Sequence, residues 1–192
     1  MIVYFLASYL LGTILTAWWV GKLYKTDLRH HRSGNLGARN AGAVIGKNAF
    51  FLTFLGDAMK GILVILVGRY LNFPEWAVAL GGLLVICGHL FPFWLKGKGG
   101  KGVATFIGIG LSFNLLFMIA FIIGFLLFIP FLRSATLSMF FGYLAYIGSI
   151  FYFNEVQNAL PIILAILLII YQHRFDFKQS VTEKKWIRVK KL

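Results

Sequence analysis

The stretch that decides the fold is Val103 to Leu132, VATFIGIGLSFNLLFMIAFIIGFLLFIPFL, thirty residues without a charge. It is too long for one ordinary crossing of about 20 residues and short for two. On either side the chain holds further apolar runs, at about residues 2–20, 49–71, 75–95, 135–153 and 156–172. Basic residues separate them in four clusters. These are Lys22 to Lys47, the Lys96, Lys98 and Lys101 trio, Arg133 alone, and the tail from Arg174 to Lys191. Lysine and arginine accumulate on the cytoplasmic side of membrane proteins. If Val103–Leu132 crosses twice, with a turn near Ser112–Asn114, 17 of the 19 basic residues share one side. A single crossing sends Arg133 and the tail outward. Two crossings are therefore expected, with short or tilted helices in 103–132.

Composition agrees with this class. The chain of 192 residues is 59% hydrophobic and 13% charged, with a mean hydropathy of +0.81. That describes an all-α polytopic membrane protein. The expectation is about seven transmembrane helices, N-terminus outside and C-terminus cytoplasmic, forming one domain over residues 1–192 with a basic tail at 173–192. A net charge of +13 fits a cytoplasmic face against anionic lipid, and nucleic acid is not an expected partner. One cysteine, Cys87, leaves no disulfide framework and no cysteine metal site. No metal or cofactor is expected. Ile2 to Val20 lacks a basic flank before it and reads as a retained span.

The cytoplasmic segments carry the chemistry. Phe91 to Phe106, FPFWLKGKGGKGVATF, sets three lysines and four glycines between apolar runs. A glycine turn feeding a helix N-terminus, flanked by lysines, suits an anion, and phosphate is the expected one. Lys98, Lys101, Gly99, Gly100 and Gly102 are the candidate ligands. The segment is not a Walker A loop: Gly102 follows Lys101 where Ser or Thr is required, and Leu95 stands where the first glycine belongs. ATP hydrolysis is not indicated.

Ser33-Gly34-Asn35-Leu36-Gly37-Ala38-Arg39-Asn40 is a second candidate. Serine, asparagine and free amides can donate to phosphate, and arginine can clamp two oxygens. An ordinary turn has the same composition. Asp57 and Lys60 lie one turn apart within a span, where ionisable groups are functional candidates or neutralise each other. His89 and the His173-Arg174-Phe175-Asp176 stretch complete the set; each histidine could be a ligand, a proton carrier or a hydrogen-bonded helix end.

SGNLGARN with Gly46-Lys47, then GDAMKG, then GHLFPFWLKGKGGKGVAT, and finally HRFD before a basic tail stand in order along nearly the whole chain. Together they resemble the acyl-phosphate-dependent glycerol-3-phosphate acyltransferases of bacterial membranes, the PlsY family. The resemblance implies a seven-helix enzyme of the bacterial cytoplasmic (inner) membrane. It implies acyl transfer from acyl phosphate to the 1-hydroxyl of sn-glycerol 3-phosphate. The products are 1-acyl-sn-glycerol 3-phosphate (lysophosphatidic acid) and inorganic phosphate, the first step of phospholipid synthesis. No metal or cofactor is implied.

Acyl phosphate is already activated, so positioning and electrostatics suffice and no protein nucleophile is needed. The resemblance assigns that work to Lys98, Lys101, Arg39 and Thr136, the last matching a family serine. Substrate binding falls to Ser33, Gly34, Asn35, Gly37, Asn40, Lys60, His89, Gly99, Gly100, Gly102, His173 and Asp176. The His-x4-Asp dyad of soluble-type acyltransferases is absent, because Asn35, Leu36, Trp94 and Lys178 follow the four histidines at that spacing. The resemblance favours a substrate phosphate as the base. Departures are Ala43 where an arginine is common, with Arg39 expected to supply the charge, and Asp176 where asparagine is common. The alternative class is a small transporter or lipid-phosphate-binding protein using the same basic loops.

Overall fold

The computed structural model describes residues 1–189, with side chains through Ser180 and for Thr182; Lys190, Lys191 and Leu192 of the basic tail lie outside the described residues. Among them the secondary structure is entirely helical. The helices are α1 (Ile2–Thr13), α2 (Thr16–Leu23), α3 (Ala38–Val44), α4 (Lys47–Tyr70) and α5 (Glu75–Leu90). They continue as α6 (Val103–Phe113), α7 (Leu115–Leu132), α8 (Ala135–Tyr152), α9 (Val156–Gln172) and α10 (Arg174–Val189).

The charge-free stretch does divide in two. Asn114 is extended, and its side chain accepts from Leu116 N at 3.0 Å and Phe117 N at 3.4 Å. It ends α6 and caps α7 in one residue. The halves are unequal. With 18 residues α7 is long enough to cross, whereas the 11 residues of α6 extend only about 16 Å at 1.5 Å per residue. Five segments are long and apolar enough to cross: Ile2–Leu23, Lys47–Tyr70, Glu75–Leu95, Leu115–Leu132 and Ala135–Tyr152. A sixth is α9, from which the chain bends by 53° into α10. The count of seven thus needs α6 as a short, partly inserted helix.

Packing holds α6 in place. Its neighbour α4 approaches so closely that a Cβ on Gly108 would lie 2.0 Å from Ala58 O. Small residues permit this contact where lipid supplies no hydrophobic drive between helices. Around Phe106 stand Phe121, Tyr143 and Tyr146, with ring centroids 5.1–5.4 Å away. Such tilted and edge-to-face contacts are the preferred aromatic geometries. At the opposite end of the bundle, Arg69 clasps Glu75 at 2.9 Å and donates to Ser112 O and Phe113 O, each at 2.7 Å. That arginine satisfies the carbonyls that end α6 and ties α4, α5 and α6 together. The α6 N-terminus is thereby fixed at the level of the α3, α8 and α10 starts.

Candidate active site

Those helix ends surround a cavity of about 710 Å³. Its wall takes Ser33, Asn35, Gly37, Arg39 and Asn40 from the first loop and α3, and His89 from the end of α5. Lys101 and Gly102 enter from the glycine turn, Thr136 from α8, and His173 and Asp176 from the α9–α10 bend. Segments far apart in sequence are thus brought to one place. Five of the expected residues do not line it: Gly34, Lys60, Lys98, Gly99 and Gly100.

The glycine turn explains three of those five. Gly99 N donates to Leu90 O at 3.1 Å and Gly100 N to His89 O at 3.0 Å. Both amides therefore cap the end of α5 and are not available to an anion. A Cβ at Gly99 would meet His89 O at 2.0 Å, so the close backbone contact demands glycine. Lys98 follows its own bond, N to Leu95 O at 3.1 Å, and its side chain is exposed. Only Lys101 of the two lysines reaches the cavity. Gly102 takes φ +81° and starts α6, whose first backbone bond is Phe106 N to Gly102 O at 2.9 Å. The preceding amides of the first turn have no helical acceptor, and Val103 and Ala104 line the cavity. The anion-binding expectation moves from the Gly99-Gly100 turn to the α6 start beside Lys101.

The first loop is held by a 3-10 turn at Leu28–His30. Asp27 forks onto Arg29, Oδ1 to Nε at 2.9 Å and Oδ2 to Nη2 at 2.7 Å. This hydrogen-bonded pairing outweighs the small burial cost and holds the Asp27 carboxyl well below the usual range. Leu28 O then accepts Asn40 Nδ2 at 3.0 Å. That bond uses one of the two N–H donors of the Asn40 amide. Its Oδ1, in a residue 3% exposed, has no partner among the described residues. Asn40 thus offers the cavity an acceptor, which suits a substrate hydroxyl.

On the α8 side stand three hydroxyls, Ser134, Thr136 and Ser138. Ser134 Oγ accepts from Leu137 N at 3.4 Å, and Ser138 Oγ donates to Ser134 O at 2.9 Å. Thr136 is the one of the three that lines the cavity. Beyond the end of the α9 span, His173 Nδ1 meets Asp176 Oδ2 at 2.8 Å, and Lys101 Nζ pairs with the same oxygen. Burial pushes the Asp176 carboxyl up, but Lys101 and His173 outweigh it and the group sits below its usual value. Burial, and then the Lys101 charge, set His173 below its ordinary value.

Sequence reasoning missed the apolar part of the wall, Phe50, Phe54 and Met139. Phe50 and Phe54 stack 6.1 Å apart on α4 at helical spacing, a signal that any buried helix face also carries. With polar donors and aromatic carbons in one wall, the cavity can hold an anion joined to an aliphatic chain.

The comparisons with known proteins point the same way. The family model described as glycerol-3-phosphate acyltransferase matches residues 2–183. Glycerol-3-phosphate acyltransferase 1 of Bacillus cereus is 40% identical over 176 residues, covering 89% of this chain and 95% of that protein. Its namesake in Bacillus thuringiensis subsp. konkukian is 41% identical over the same length and coverage. The fold superposes on the crystal structure of PlsY (YgiH), an integral membrane glycerol 3-phosphate acyltransferase, in its glycerol 3-phosphate form. The TM-score is 0.86 at 28% identity, covering 95% of this chain and 92% of that one. The lysophosphatidic acid form of the same enzyme gives 0.84 at 27%. With one family model matching residues 2–183, and a fold shared over 95% of the chain, the chain belongs to the glycerol-3-phosphate acyltransferase family.

Proposed function

We propose that the cavity transfers an acyl group from acyl phosphate to the 1-hydroxyl of sn-glycerol 3-phosphate. It releases 1-acyl-sn-glycerol 3-phosphate and inorganic phosphate at the cytoplasmic face of a bacterial inner membrane. One observation carries the substrate assignment. The cavity wall includes two buried acceptors without partners among the described residues, Asn40 Oδ1 and His173 Nε2, together with the cations Lys101 and Arg39. Buried acceptors of this kind are costly unless a ligand pairs with them. Two acceptors beside a cationic wall suit a phosphate that bears two hydroxyls.

In the reaction the 1-hydroxyl oxygen bonds to the acyl carbon, the acyl carbon–oxygen bond to phosphate breaks, and phosphate leaves with the electron pair. The hydroxyl proton passes to a substrate phosphate oxygen. Lys101, Arg39 and the α6 first-turn amides stabilise charge on the two phosphates, Thr136 donates to one of them, and Phe50, Phe54 and Met139 hold the acyl chain. Palmitoyl phosphate, palmitoyl-CoA and palmitoyl-acyl carrier protein, assayed side by side with and without EDTA, test this. Lysophosphatidic acid should form from palmitoyl phosphate alone, and chelation should not change the rate. Comparable turnover with the thioesters, or loss of activity in EDTA, would overturn the donor assignment.

A further inference from the structure

Lys60 lies outside the cavity, yet it touches the wall from behind. Its Nζ stands 2.9 Å from Asp57 Oδ1, 2.9 Å from Ile14 O, 3.0 Å from His89 Nδ1 and 3.3 Å from Gly12 O. The residue is 4% exposed. An ammonium group donates and cannot accept, so the contact with His89 makes Nδ1 the unprotonated ring nitrogen. The proton of the neutral imidazole is then on Nε2. That nitrogen makes no hydrogen bond among the described residues, although His89 is 2% exposed and lines the cavity. Space beside it is kept by Gly100, where a Cβ would lie 2.2 Å from His89 Nε2. Asp57 also reaches the wall. Its Oδ1 accepts from Lys60 and from Thr16 Oγ1 at 3.0 Å, so its charge is compensated at the edge of a cavity built for anions.

We propose that Lys60 is a positioning residue: it fixes His89 as an Nε2–H donor to a phosphate oxygen of the bound substrate and neutralises Asp57 beside it. The inference rests on the phosphate chemistry proposed above. It differs from a purely structural part for Lys60, which would cap the Gly12 and Ile14 carbonyls freed where α1 breaks from α2. Metal-ligating histidines are oriented through their second nitrogen in the same way; here the group that orients is a buried cation.

Ring ¹⁵N spectra of the histidine-labelled full-length protein, with His89 assigned by its loss in His89→Gln, read the tautomer directly. The expected result is protonation on Nε2 and none on Nδ1. Protonation on Nδ1 in the wild type overturns the proposal. The double variant Asp57→Asn, Lys60→Met leaves no buried charge behind; it should lose the tautomer preference and at least tenfold in kcat/KM. Retention of both signals by a folded double variant also overturns it. A glutamine amide reaches the Nε2 position and an asparagine amide the Nδ1 position. His89→Gln should therefore exceed His89→Asn in kcat/KM by tenfold or more, and the reverse order would leave His89 as a mere partner for Lys60. The wild-type spectrum needs no turnover. Should palmitoyl phosphate prove inert, the reaction assignment fails while the spectrum still decides the part played by Lys60.

Discussion

His173 Nδ1 stands 2.8 Å from Asp176 Oδ2, and an ionised carboxylate can only accept, so the imidazole donates from Nδ1 and keeps Nε2 as an acceptor. Lys101 holds the same carboxylate oxygen. The three form a chain in which a resident anion occupies the lysine that the substrate phosphate would use. Under the proposed function, Asp176 would compete with substrate for Lys101 while orienting His173.

Replacing that carboxylate separates the two effects. Asp176→Asn should lower the KM for glycerol 3-phosphate several-fold, read from initial rates, because Lys101 no longer has to exchange one anion for another. The same variant carries a pH signature. The Asp176 carboxyl is depressed in the fold, so its stabilising contribution is complete above an unfolded value of about 3.9 and is lost as pH falls through the lower folded value. The melting-temperature difference between wild type and variant should be constant above about pH 5 and close under more acid conditions. A difference that grows on acidification would place the carboxylate elsewhere.

The lysines of the glycine turn should separate as the geometry does. Lys101 lines the cavity and Lys98 is exposed outside it. A charge-assisted hydrogen bond contributes roughly 1.5–3 kcal/mol, so Lys101→Ala should cost about 10- to 150-fold in kcat/KM. Lys98→Ala and Lys96→Ala should cost less than about fivefold, since an exposed charge contributes at most ~1 kcal/mol. Equal losses for Lys98 and Lys101 would mean that the turn rearranges when substrate binds.

Much of the fold was legible because membrane helices announce themselves in hydropathy and in the side on which lysine and arginine collect. The break at Asn114 followed from charge parity, and the residue type then explains the cap. The break at Ile14–Leu15 left no such trace. Neither glycine nor proline marks it, and it is held by Lys60 and Thr16 contacts more than 40 positions apart in sequence. The site shows the same division. Residue types named the phosphate-binding segments, but not which amides were already consumed: Gly99 and Gly100 have the composition of an anion loop and the hydrogen bonds of a helix cap. Lys98 and Lys101 are equivalent as letters, and only the path of the turn distinguishes them.

The same charges predict membrane sidedness, which labelling can read. In a Cys87→Ala background, cysteines at Ser33, Lys98 and Lys178, all exposed, should react only with reagent on the cytoplasmic side. A cysteine at Gln157, in the first turn of α9, should react only from outside. Outward labelling at position 178 together with inward labelling at 98 would show that α6 and α7 make a single crossing.

The last test concerns the proton. His173 Nε2 is buried, without a partner among the described residues and in a residue of the cavity wall, so under the proposed function it is a candidate acceptor for the hydroxyl proton, and the alternative acceptor is a substrate phosphate. His173→Gln offers an amide where the imidazole nitrogen stood. It keeps a hydrogen-bonding group but cannot take a proton. If the phosphate is the base, kcat should fall by less than about 100-fold, the scale of a lost hydrogen bond to a charged group. The ascending limb of its pH profile should survive, because the titrating group belongs to the substrate. General-base catalysis by imidazole is worth up to about 10⁴-fold, and its removal would erase that limb. We expect the smaller loss and the preserved limb. A drop approaching 10⁴-fold, with a flat profile and unchanged glycerol 3-phosphate binding, would assign the proton to His173 and make Asp176 its orienting partner.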